Sequence, residues 1–117
     1  GGSQRLPRII GFRRALDLMM SGRRLQAVEA KEWGMVNYLV PASELRDEAL
    51  KYCQLIASKS AEGIQTMKEL AYQGVDLSLS ESLQLEVTEA VKGLKSDDVK
   101  EGLTAFNERR EPAFKSR

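Results

Sequence analysis

The sequence contains no histidine in its 117 residues and a single cysteine, Cys53. Histidine is the side chain that most often serves as general base or metal ligand near neutral pH. Its absence, with only one thiol, excludes an intramolecular disulfide and any zinc site built from cysteine and histidine; no metal site is expected. Aromatic residues make up only 6% of the chain, and there is no zinc-finger pattern, basic zipper or aromatic ladder, so nucleic acid is not an expected partner. No apolar run approaches the ~18 residues of a membrane span, and no signal-peptide pattern opens the chain. These absences predict a protein of a reducing compartment, the cytoplasm or, in a eukaryote, the mitochondrial matrix, with no membrane partner.

The formal net charge is only +1, but it is unevenly spread. Residues 1–25 carry Arg5, Arg8, Arg13, Arg14, Arg23 and Arg24 against one acid, Asp17, and the remainder is mildly acidic. Such a segment either attracts phosphate or lies as solvated arginines on helix surfaces. A composition of 42% hydrophobic and 30% charged residues describes one small globular domain, expected to bury roughly two-thirds of its unfolded surface.

Helical periodicity dominates. Phe12, Ala15, Leu16 and Met19 share one face of a helix ending near Gly22. Ala27 to Trp33 forms a shorter helix, with Gly34 as a left-handed stop. Met35 to Val40 (MVNYLV) reads as a short strand closed by Pro41; a lone strand needs a partner for its backbone groups. Beyond it, Leu45, Ala49, Tyr52, Cys53 and Ile56 line a helix starting near Ser43, and Ile64, Met67 and Ala71 mark one that stops at Gly74. Ser78 and Glu81 match a capping box, and the helix they open turns Leu83, Val87, Ala90, Val91 and Leu94 inward. Asp98 and Glu101 are placed to cap a last helix whose face carries Val99, Leu103 and Phe106. The residues alone therefore predict a mainly α module with one short strand.

No catalytic constellation emerges. Asp97 and Asp98 are adjacent, so they diverge, and they suit a helix N-terminus better than paired acid–base chemistry. Cys53 and the four methionines are expected as core filler. Trp33 is expected beneath the strand, with a pocket wall as the alternative.

The order of short motifs says more. GGSQRLPRIIG, then SGRRLQAVEAKEWGMVNYLVP, and finally EGLTAFNERREPAF, resemble the segments GGTQRL, TG…A.EA…GLVN.VVP and EG..AF.EKR.P.F of the crotonase, or enoyl-CoA hydratase/isomerase, family. The likeness runs the length of the chain, with Ser3 for the usual Thr and Met35 for the usual Leu. It implies the C-terminal helical part of a crotonase-type α/β spiral fold. Residues 1–41 would end the acyl-CoA-binding core and residues 42–117 would form a helical trimerisation region. The Gly1–Gly2 pair would close a glycine-rich turn.

In that family the oxyanion-hole donors and the glutamates that activate water lie before the GG.QRL motif. Glu29, Glu32, Glu62 and Glu69 match no catalytic position, so the resemblance places no catalytic residue in this chain and implies that the chain alone is inactive. It implies a parent enzyme that hydrates 2-enoyl-CoA or isomerises a related thioester, a homotrimer or hexamer, with a coenzyme A thioester as substrate and no further cofactor. Phe106 and Arg109, three residues apart, match positions that contact coenzyme A through a stacking ring and a phosphate-binding cation; as bare sequence they also fit a core anchor and a solvated charge. Gln4, Arg5 and Arg8 lie in a region that resembles the family's subunit contacts. Two other classes fit the residues: a non-catalytic helical module that joins crotonase-type oligomers, and a small anion- or coenzyme-binding module.

Overall fold

The computed structural model describes residues 1–115. They form seven helices, α1 Gly2–Ile10, α2 Phe12–Ser21, α3 Ala27–Glu32, α4 Leu45–Ala57, α5 Ala61–Gly74, α6 Leu79–Gly93 and α7 Asp97–Glu108. They fall into two compact units, divided between Glu48 and Ala49.

In the first unit α1 and α2 pack on each other around Ile10 and Ala15, both buried. The break between them is Gly11, at φ 85 and ψ 153, a backbone region open essentially only to glycine. Arg8 returns a hydrogen bond from Nη1 to the Gln4 carbonyl at 2.9 Å. α2 stops at left-handed Gly22. α3 ends as expected at Gly34: its N–H donates to the Lys31 carbonyl at 3.0 Å and Met35 N–H to the Ala30 carbonyl at 2.9 Å. That pair of bonds around a residue at φ 72 is a Schellman turn.

The expected strand at Met35–Val40 does not form; among the described residues there is no strand. The physical reason is the one its isolation suggested. A β-strand is held by a neighbouring ladder, and no second strand is present to supply it.

In the second unit α5 and α6 form a helical hairpin. Ser82 Oγ donates to the Gly74 carbonyl at 3.1 Å, tying the start of α6 to the end of α5. Serines open the helices: Ser60 accepts from Gly63 N–H at 3.0 Å, Ser78 from Glu81 N–H at 3.3 Å, and Ser96 from Val99 N–H at 3.2 Å. The capping box is complete, because the Glu81 carboxylate also accepts from Ser78 N–H at 2.9 Å. The hydrogen bond from the Ser78 hydroxyl, then that from its backbone, holds Glu81 below the usual carboxylate range. The expected cap of α7 is corrected. Ser96, not Asp98, closes it, and Asp97 and Asp98 lie in its first turn.

Burial departs most from expectation. The chain exposes 9841 Å², whereas a folded chain of 13.1 kDa exposes about 6,400 Å². Roughly half of the unfolded surface is removed from water, not two-thirds. Leu83, Val87, Val91 and Leu94 share the expected face of α6, but that face is exposed, Val87 at 64%. Met19, Met20, Met35, Met67 and Cys53 are likewise exposed rather than core filler.

Candidate functional site

The end of α7 carries the residues expected to meet a ligand. The helix finishes in a second Schellman turn: Arg109 N–H donates to the Phe106 carbonyl at 3.2 Å and Arg110 N–H to the Ala105 carbonyl at 3.0 Å. The left-handed position of such a turn usually holds glycine. Here it is Arg109 at φ 55, which costs about 1 kcal/mol. Arg109 thus lies in the turn just past α7, so the helical spacing that would put it on one side with Phe106 does not apply. Phe106 is 80% exposed and is no core anchor of this unit. Ala105, one residue earlier, is the buried position of that turn.

The next arginine is engaged. Arg110 Nη1 and Nη2 donate to the Glu101 carboxylate at 2.6 and 3.0 Å, and its Nε donates to Glu108 at 2.6 Å. Glu101 also accepts from Ala113 N–H at 2.7 Å. The chain after the turn is therefore strapped back along α7, and Phe114 reaches the flat spot left by Gly102. Arg110, then the Ala113 N–H, hold the Glu101 carboxyl down at about 2. Phe114 also lines a cavity of about 340 Å³ with Thr66, Met67, Ala90, Leu94 and Val99. Asp98, 6% exposed, is the buried acid of this unit. A larger open cleft, about 1150 Å³, runs between α4 and α5 past Cys53, Ile64, Lys68 and Tyr72.

In the first unit, Gln4, Arg5 and Arg8 lie exposed on α1. Gln4 and Arg8 are tied one turn apart, and the Arg5 guanidinium folds back over Gly1. The arginine-rich stretch is less uniform than its sequence. Arg23 is neutralised by Glu29 at 2.7 Å and Asp17 at 3.0 Å, bonds that raise its pKa, Glu29 first, and lower that of Glu29. Arg23 and Arg14 also place their guanidinium carbons 5.2 and 5.1 Å from the centre of the Trp33 ring. Trp33 therefore packs against arginine rather than under a strand. Sequence periodicity cannot show such a contact, since Arg14, Arg23 and Trp33 belong to different segments. The Glu101–Arg110 strap was missed for a similar reason: no glycine announces the turn that joins them.

Among the described residues no group of three or more acidic, cysteine or histidine side chains is placed to hold a metal. No helix is long and apolar enough to cross a membrane. Glu29 is committed to Arg23, and Glu69 accepts from Gln65 at 2.9 Å.

Comparison with known proteins covers the whole chain. The family model described as Enoyl-CoA hydratase/isomerase matches residues 1–117. A Mycobacterium bovis protein named "Probable enoyl-CoA hydratase echA8" is 39% identical over 117 residues, which is 100% of this chain and 46% of the relative. The mitochondrial enoyl-CoA hydratase of Pongo abelii is 35% identical over 115 residues, covering 98% of this chain and 40% of that protein. The crystal structure of enoyl-CoA hydratase from Bacillus anthracis superposes with a TM-score of 0.95 at 39% identity, over 100% of this chain and 45% of that one. The chain thus spans a little under half the length of the relatives it matches, in keeping with the C-terminal helical portion that its motifs imply. On its sequence and its fold alike, the chain belongs to the enoyl-CoA hydratase/isomerase (crotonase) family.

Proposed function

We propose that this chain is the helical part of an enzyme acting on coenzyme A thioesters, with hydration of a 2-enoyl-CoA as its reaction. The observation that carries the reading is the family match over all 117 residues, joined by a fold likeness to an enoyl-CoA hydratase at a TM-score of 0.95. Phe106 and Arg109 are the residues of this chain assigned to the coenzyme. An exposed ring offers a stacking face to adenine, and a guanidinium takes phosphate through two parallel hydrogen bonds. Both are exposed at the same helix end. The substrate is itself the coenzyme A thioester, and no further cofactor is assigned.

The chemistry of hydration needs donors for the enolate-like oxygen and a base for water. The family resemblance puts both ahead of Gly1, so residues 1–117 by themselves are assigned binding and assembly, not turnover. The exposed apolar faces support the assembly role. Leu83, Val87 and Val91 on α6 fit burial against neighbouring chains in a homotrimer or hexamer, with Gln4, Arg5 and Arg8 at subunit contacts. The cytoplasm or a mitochondrial matrix suits the reading, since one relative is a mitochondrial enzyme.

The test is to assay the protein that carries this chain, and residues 1–117 alone, for loss of the conjugated-thioester absorbance of a short 2-enoyl-CoA. Turnover by the first and not the second supports the reading. Coenzyme A binding without turnover by either favours a binding or assembly module.

A further inference from the structure

Residues 109 and 110 are adjacent arginines, yet the structure treats them differently. Arg110 reaches back nine residues to grip both oxygens of Glu101 and also holds Glu108. Arg109 has no ion-pair partner among the described residues. The cause lies in the backbone. The left-handed conformation at Arg109 reverses the chain, and that reversal carries the side chain of residue 110 back along α7.

A carboxylate on the same helix competes strongly with any ligand for a neighbouring guanidinium, because its effective concentration is set by the short intervening chain. Glu108 directly precedes Arg109. With Arg110 absent, Glu108 would carry an uncompensated charge at the last residue of α7, where the backbone dipole is already negative, and Glu101, two turns earlier, would keep only the Ala113 N–H as a partner.

We propose that Arg110 is a positioning residue for coenzyme binding: it occupies Glu101 and Glu108 together and so leaves the Arg109 guanidinium available to the phosphates of a coenzyme A thioester beside Phe106. The proposal rests on the assignment of Arg109 to the coenzyme made above. It also assigns distinct jobs to a pair that sequence alone presents as interchangeable. The arginine in the strained turn position binds, and the one after it holds the competing acids.

Titration calorimetry with coenzyme A on the protein that carries this chain tests this directly. Arg109→Ala is expected to weaken binding about tenfold, the loss of one charge-assisted contact. Arg110→Ala should weaken it several-fold although that side chain does not touch the ligand. Adding Glu101→Gln and Glu108→Gln to Arg110→Ala should restore affinity to near the unmodified value, since the competing charges are gone. A merely structural strap predicts the opposite, with the triple variant binding no better than Arg110→Ala, and that result overturns the proposal. If Arg110→Ala does not fold, Glu101→Gln/Glu108→Gln in the unmodified background decides. Affinity kept or raised supports the competition account, and affinity lost contradicts it. Unchanged binding in Arg109→Ala removes the assignment of Arg109 and this proposal with it. Weakened binding there, with Arg110→Ala unaffected, removes only the role of Arg110.

Discussion

Residues 1–48 and the residues from Ala49 onward are both built from helices, with a long irregular segment between α3 and α4 in the first unit, but different forces end and start the helices. In the first unit glycines with positive φ stop the helices, and the corner between α2 and α3 is locked by Asp17, Arg23 and Glu29 around Trp33. In the second unit serine side chains start the helices and a carboxylate–guanidinium strap finishes the last one. Ile10, Ala15 and Ala30 are buried in the first unit, while Ala105 is the buried apolar residue of the second. In the second unit α5, α6 and α7 thus each start at a serine cap, while their apolar faces are not covered. Good capping stabilises a helix without giving it a core.

The sharpest way to break this comparison is to charge the uncovered face. Leu83→Asp/Val87→Asp is expected to leave helix content nearly unchanged, because both positions are exposed within the chain. On the assembly proposed above it should yield monomers in sedimentation; a sedimentation profile unchanged from the unmodified protein would show that α6 faces water. Next in size is Trp33→Ala, which removes the ring that two guanidinium groups contact. A half-buried tryptophan with two cation–π contacts is worth about 2 kcal/mol, read as a shift in the urea midpoint. The equivalent single cut in the second unit is smaller: Ser78→Ala should cost about 1 kcal/mol, and a cost near that of Trp33→Ala would erase the distinction between the units.

The smallest effect concerns pH. Glu101 is held at about 2 in the folded protein against an ordinary value of 4.5. The unfolded chain therefore binds more protons between those values, and stability rises with pH across that window. The contribution is fully present above about pH 4.5 and is lost as pH falls through about 2. Glu101→Gln should flatten this part of an acid-unfolding profile, and an unchanged slope would mean that Glu101 is not strapped to Arg110.

Local features of this fold were legible because their signals are local. Gly22, Gly34 and the Ser78–Glu81 pair announce their turns within a few residues. Ser96 carries no such signal, because the third residue after it is Val99 and no glutamate completes a capping box. Burial is legible at Ala15, on the apolar face of α2, but not on α6. The spacing of Leu83, Val87 and Val91 shows that they share a face and says nothing about what lies against it. The segment Met35–Val40 failed in the same way: its β-forming residues describe half of a pairing whose other half is not among them. At the candidate site, the family motif marked Phe106 and Arg109, but the commitment of Arg110 to a glutamate nine residues away depends on a left-handed arginine that no sequence rule anticipates.

On the proposed function, the end of α7 is a coenzyme-contacting surface of a thioester enzyme. The most direct test is to titrate coenzyme A into the protein that carries this chain and compare Arg109→Ala with Arg13→Ala, which removes an exposed arginine of the basic first segment. The account predicts about tenfold weaker binding for Arg109→Ala and near-normal binding for Arg13→Ala. Equal losses in the two variants would contradict it, since they would mean that coenzyme A responds to general positive charge and not to the turn that ends α7.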